Sequence, residues 1–140
     1  MVQKINNILV PLDGSKDSIR GLDKAISIAK QSDGVITGIN VVTVAPTLAS
    51  SVINYKKFLT KKAEEMLDSA KKNCEKQDVK FSSKILYGSP ASKIAEFAEK
   101  EKFDVVVVGS RGIGGIKGAI LGSVANTIVH KSKVSVLIVK

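Results

Sequence analysis

Phe103-Asp104-Val105-Val106-Val107-Val108, followed at once by Gly-Ser-Arg-Gly-Ile-Gly-Gly-Ile-Lys-Gly-Ala-Ile-Leu-Gly-Ser over residues 109–123, decides how the rest of the chain is read. Four consecutive valines suit a strand buried on both faces, the kind that parallel sheets contain. The segment behind them is dense in glycine and carries two serines, Ser110 and Ser123. It is either a loose surface loop or a backbone shaped to approach a ligand. The second reading has a physical basis, because glycine allows positive φ and leaves no Cβ between backbone N–H groups and a phosphate. Gly122-Ser123 then opens a helix predicted over Leu121 to His130, whose first amides and dipole favour an anion.

On either side, strand and helix patterns alternate. Ile5 to Leu12 is a short apolar run ending in Asp13-Gly14-Ser15, and from Ser18 onward Ile19, Leu22, Ile26 and Ala29 recur at helical spacing. Val35 to Val44 reads as the second strand. Residues 45–54 follow as the longest predicted loop and a candidate lid. Leu59, Ala63, Met66, Leu67, Ala70 and Cys74 mark one face of a long helix, and Val79 to Tyr87 alternates like a half-exposed outer strand. In Gly88-Ser89-Pro90, serine is the expected N-cap and proline the first helical residue. Val134 to Val139 is the last strand. The expectation is an α/β fold, a doubly wound five-stranded parallel sheet of order 3-2-1-4-5 with helices on both faces.

The chain has 140 residues, 44% hydrophobic and 25% charged, which fits one domain over residues 1–140. No stretch approaches the length of a membrane span, and the N-terminus lacks the apolar region of a signal peptide. One cysteine forms no internal disulfide, and a cytoplasmic location is expected. The net charge of +9 favours anionic partners. Its local density, Lys56, Lys57, Lys61, Lys62, Lys71, Lys72 and Lys76, reads as a solvated helix face rather than a nucleic-acid surface, since no aromatic platform accompanies it.

Ligands of open α/β sheets bind beyond the carboxyl ends of the strands, where the strand order reverses. With strand 1 beside strand 4, Asp13-Gly14-Ser15 and the glycine segment meet there. The segment is not a Walker A loop, and Lys117 stands where G-x-G-x-x-G needs its third glycine. It does match G-x2-G-x9-G-[S/T], through Gly109, Gly112 and Gly122-Ser123.

At these residues the chain resembles the universal stress protein family. The resemblance also covers Ile8-Leu9-Val10-Pro11-Leu12-Asp13-Gly14-Ser15, Ile39-Asn40-Val41-Val42, Gly88-Ser89-Pro90 and Val136-Leu137-Ile138-Val139. It implies an ATP-binding stress-response or regulatory protein. Pro11 and Val41 would line the adenine pocket, and Asp13 would face ribose and phosphates directly or through Mg2+ or Mn2+. Gly109, Arg111, Gly112 and Gly114 would run along sugar and phosphates. Gly122, Ser123 and Val124 would clasp the phosphate end. Some relatives prefer AMP or cyclic AMP, which keeps those nucleotides open. Members often carry histidine at the position of Asn40 and proline near Ser135, two departures that leave the phosphate loop intact.

Plainer roles stand beside these. Asp13 could fix the turn, Ser15 could be N-cap, phosphate donor or both, and Arg111 and Lys117 could face solvent. His130 is the only histidine, Cys74 falls on an apolar stripe, and a general-base role for Asp13 or Asp17 would need a partner that no motif in the sequence supplies. Binding with at most slow hydrolysis is expected; the alternative is a slow ATPase or nucleotidyl-transfer enzyme on the same fold. An uncovered apolar last strand invites pairing with a second copy, and the resemblance likewise implies a homodimer through residues 134–139. Nucleotide occupancy would then alter the dimer surface or loop 45–54 for a regulatory protein partner.

Overall fold

The structure, a computed structural model, describes residues 4–43, 50–111 and 121–140, with the side chains of 50–52 left aside. Its elements alternate as β1 (Asn7–Pro11), α1 (Lys16–Ser32), β2 (Val35–Val42), α2 (Ser50–Lys76), β3 (Lys80–Tyr87), α3 (Pro90–Lys100), β4 (Val105–Gly109), α4 (Ser123–Lys131) and β5 (Ser135–Val139). The five strands form one parallel sheet of order β3-β2-β1-β4-β5, as the pattern predicts.

Successive side chains of a strand point to opposite faces, and β1 and β4 bury both sets. On one face Ile8, Val10, Val105 and Val107 pack with Leu22 and Ile26 of α1 and Leu67, Ala70 and Cys74 of α2. On the other, Leu9, Val106 and Val108 pack with Ile94 and Ala98 of α3 and Ala125 and Ile128 of α4. The chain thus steps from β1 to β3 beneath α1 and α2. It then crosses to the other side of β1 and finishes beneath α3 and α4.

That crossing produces the switch point. β1 follows β2 in register up to Pro11↔Ile39, and β4 follows β5 up to Gly109↔Val139. Between β1 and β4 the register holds only Ile8↔Val105 and Leu9↔Val106. Their amino ends are tied by the Asp104 carboxylate, whose Oδ2 accepts from the amides of Asn6 (2.9 Å) and Asn7 (2.8 Å). The sheet is closed at one end and parted at the other.

Several element boundaries differ from the sequence expectation. β1 is shorter at both ends than Ile5 to Leu12, and β2 ends at Val42, with Val44 outside the described residues. α2 begins at Ser50, so the end of the supposed loop 45–54 is helical, while residues 45–49 lie outside the described residues. α4 begins at Ser123 rather than Leu121, because Gly122 has extended backbone (φ −70°, ψ 163°) and serves as N-cap. The lysines named above are exposed along α2, and Cys74 is fully buried. Burial, with the Glu75 charge adding to it, pushes the Cys74 thiol up to about 11.

Candidate functional site

The loop after β1 is built by short-range bonds. Gly14 takes φ 85°, a left-handed conformation that glycine adopts without penalty. It lets the Ser15 amide donate to Asp13 Oδ1 at 2.9 Å, an Asx turn. Ser15 then caps α1, its Oγ accepting from the Ser18 amide at 3.1 Å. Both plainer roles, turn and cap, are therefore present. Two further bonds pin this loop to β2: the Leu12 amide donates to the Ile39 carbonyl (2.8 Å), and Asn40 Nδ2 donates to the Leu12 carbonyl (2.7 Å).

The glycine segment is drawn together at its neck. Ser110 donates its amide to the Val139 carbonyl at 2.9 Å, and Gly122 donates to the Ser110 carbonyl at 2.6 Å. This places the first turn of α4 beside the end of β4. The N-cap there is glycine, so no side chain caps the first amides of the helix. At α3, by contrast, Ser89 is the N-cap and Pro90 the first helical residue as expected, but the serine side chain makes no capping bond.

A cleft of about 180 Å3 lies between these two loops. Pro11, Leu12, Ile39 and Val41 line it from the β1–β2 side, Pro90 and Ile94 from α3, Val108, Gly109 and Arg111 from the end of β4, and Val124 and Ala125 from α4. Asp13, Ser18 and Asn40 complete the wall. Six of the expected site residues, Pro11, Asp13, Val41, Gly109, Arg111 and Val124, thus share one cavity. Ser15, Gly122 and Ser123 are not among its lining residues. Gly112, Gly114 and Lys117 lie outside the described residues.

Gly109 is glycine for a reason other than ligand approach. A Cβ built there would stand 2.5 Å from the backbone C and O of Asp17, far inside contact distance. Gly21 of α1 packs against the same point, its own Cβ position 3.4 Å from the Gly109 nitrogen. The helix and the strand touch through two glycines.

Asp17 was not expected at this site. It is 7% exposed, and its Oδ2 accepts from the Arg111 amide (3.0 Å) and the Ser110 hydroxyl (3.4 Å). Arg111 Nε lies 3.5 Å from the same oxygen, and Arg20 pairs with Oδ1. The one sequence signal that points to this packing is Gly21, a glycine on the apolar face of a helix opposite a strand ending in glycine. His130 Nδ1 donates to the Asn126 carbonyl at 2.8 Å and does not line the cleft. Among the described residues, no three His, Cys, Asp or Glu side chains are grouped to hold a metal ion.

Fold and cleft define the class: a doubly wound α/β protein with its cavity at the topological switch point. The chain belongs to the universal stress protein family, whose family model matches residues 4–140. A universal stress protein of Methanocaldococcus jannaschii is 37% identical over 137 residues, covering 95% of this chain and 81% of the relative. Among solved structures, the universal stress protein UspA of Lactobacillus plantarum superposes with a TM-score of 0.88 at 20% identity, covering 99% of this chain and 100% of that one. A universal stress protein solved in complex with cAMP has a TM-score of 0.77 at 26% identity, with 99% of each chain covered. No helix among the described residues is long and apolar enough to cross a membrane.

Proposed function

We propose that the cleft holds an adenine nucleotide between the loop after β1 and the glycine segment after β4. ATP with Mg2+ is the favoured occupant, and the occupied protein acts as a regulator rather than a catalyst. One observation carries the reading: Arg111 and two residues of the first turn of α4, Val124 and Ala125, line the same mainly apolar cleft, and the N-cap of that helix is a glycine. Helix-terminal amides and a guanidinium suit phosphate oxygens. Pro11, Ile39, Val41 and Ile94 offer the apolar surface a purine needs. The relative solved with cAMP supports the ligand class.

The residues present fit the implied cation as well. Asp13 supplies one hard oxygen donor at the cleft, and Mg2+ commonly takes one or two carboxylates together with substrate phosphates. When bound, the ion would offset phosphate charge. The chain's own residues orient and enclose the ligand. Asp17 is occupied by two arginines and a backbone amide, and His130 lies off the cleft. That arrangement supports binding over proton transfer.

The same reading extends to assembly. β5 lies at the sheet edge with Leu137 38% exposed, and a second copy pairing there would cover it. A cytoplasmic regulatory dimer responding to adenine nucleotide is the resulting proposal. Stripped protein titrated with ATP in Mg2+ tests it: saturable binding is expected, and its absence rejects the reading. Phosphate release under the same conditions would favour the ATPase alternative.

A further inference from the structure

Asp17 touches three consecutive residues at the start of the glycine segment. Its main chain lies against Gly109, leaving no room there for a Cβ. Its carboxylate takes the Ser110 hydroxyl, and the same oxygen takes the Arg111 amide and stands beside the Arg111 guanidinium. Its other oxygen is paired with Arg20, one turn further along α1. The side chain is 9% exposed, whereas those of Arg20 and Arg111 are 46% and 41% exposed. The buried member of the cluster is thus the carboxylate, and the arginines reach out from it.

We propose that Asp17 is a positioning residue that fixes Arg111 on the cleft wall and thereby sets affinity for the phosphate portion of the ligand. This rests on the nucleotide reading above. The role is separable from that of Asp13, which lines the cleft itself; Asp17 is not among the lining residues and acts through Arg111. The geometry accounts for selectivity between ligand portions. The apolar side, with Pro11, Ile39 and Val41, is held by β1 and β2 and is independent of Asp17. Arg111 stands two positions after the end of β4, where nothing in strand pairing holds it. Its amide bond to Asp17 substitutes for a ladder bond. One carboxylate between two guanidiniums also leaves the cluster with a single net positive charge beside the cleft, favourable to a phosphate.

Two substitutions separate anchoring from charge. Asp17→Asn and Asp17→Ala carry the same charge, but only the asparagine keeps an oxygen that accepts from the Arg111 amide. Wild type and both variants are titrated with adenosine, AMP and ATP, after their folds are checked by circular dichroism. The expected result is that Asp17→Ala binds ATP roughly tenfold more weakly than Asp17→Asn, the loss of the one well-placed hydrogen bond to the Arg111 amide and the order it imposes. Adenosine should differ by less than about twofold between them. If the alanine variant does not fold, Asp17→Leu, close in shape to asparagine and without an acceptor, takes its place. Equal ATP affinity in the two variants, or an equal loss for adenosine and ATP, overturns the proposal while leaving nucleotide binding intact. Absence of binding in the wild-type protein overturns both.

Discussion

Gly109→Ala is the sharpest perturbation of the helix–strand contact beneath the cleft. The new methyl would lie 2.5 Å from two backbone atoms of Asp17 and 2.9 Å from its Cβ. Carbon atoms rest near 3.5–4.0 Å, so α1 or β4 must yield by about 1 Å. Backbone atoms inside a sheet–helix sandwich cannot swing aside as a side chain does. Overpacking of that kind costs about 2–3 kcal/mol. Removing a glycine also restricts the unfolded chain, which returns roughly 0.5 kcal/mol. The net loss is about 2 kcal/mol. With an unfolding entropy of about 2.1 cal/mol/K per residue, a chain this long loses about 7 °C in melting temperature. Gly21→Ala, on the helix side of the same contact, should behave oppositely. Its methyl reaches only 3.4 Å from the Gly109 nitrogen, and alanine is favoured over glycine in a helix interior by up to about 1 kcal/mol. A rise of about 2 °C is expected. Thermal melts of both variants followed by circular dichroism decide the matter. A Gly109→Ala protein that melts at or above the wild-type temperature would refute the close-contact argument, and the glycine would then be reserved for the ligand alone.

Other expectations follow from the same geometry. Asp104→Ala removes the acceptor of two amides that join β1 to β4; a loss of about 1–2 kcal/mol in urea denaturation is expected, and no loss would show the two amides solvated at no cost. Cys74 should resist thiol reagents at pH 8 in the native protein and react only as fast as the chain unfolds, since burial holds it as the neutral thiol. Its folded pKa of about 11 lies above the ordinary thiol value of 9.0. Its contribution is therefore complete below pH 9 and is lost as pH rises through 11. A Cys74→Ala protein should show a shallower decline in stability across that window; identical slopes would contradict the assignment. Leu137→Lys, which puts a charge on the edge strand β5, should convert a dimer to monomer in light scattering, and wild-type protein that is already monomeric would remove the proposed interface.

What the sequence conveys about this molecule depends on how local the cause is. The valine run, the repeated strand–helix alternation and the Asp13-Gly14-Ser15 turn are local, and the sheet order and switch point follow from them. The place of Pro11 and Val41 on the cleft wall was legible only through the family resemblance, since no local pattern marks them. The start of α2 is not legible from local pattern either: Ser50, Ser51 and Asn54 are typical of loops, and helical apolar spacing begins only at Leu59. The start of α4 was misplaced because Leu121 continues the apolar pattern, whereas the extended backbone of Gly122 ends it. Asp17 was missed altogether as part of the site. An acidic residue in the first helical turn reads as a dipole partner, and its true partner, Arg111, lies 94 positions away. Gly109 lines the cleft and also meets a packed helix that excludes its Cβ, a second requirement that no local pattern shows.

The most direct test of the central claim is calorimetric titration of nucleotide-stripped protein with ATP, AMP and cyclic AMP, each with and without Mg2+. Gly122→Val, which adds bulk at the N-cap of α4, serves as the comparison after its fold is verified. Saturable binding by the wild-type protein, tightest for ATP with Mg2+ and abolished by Gly122→Val, is the predicted outcome. Heats indistinguishable from dilution for all three nucleotides would contradict it.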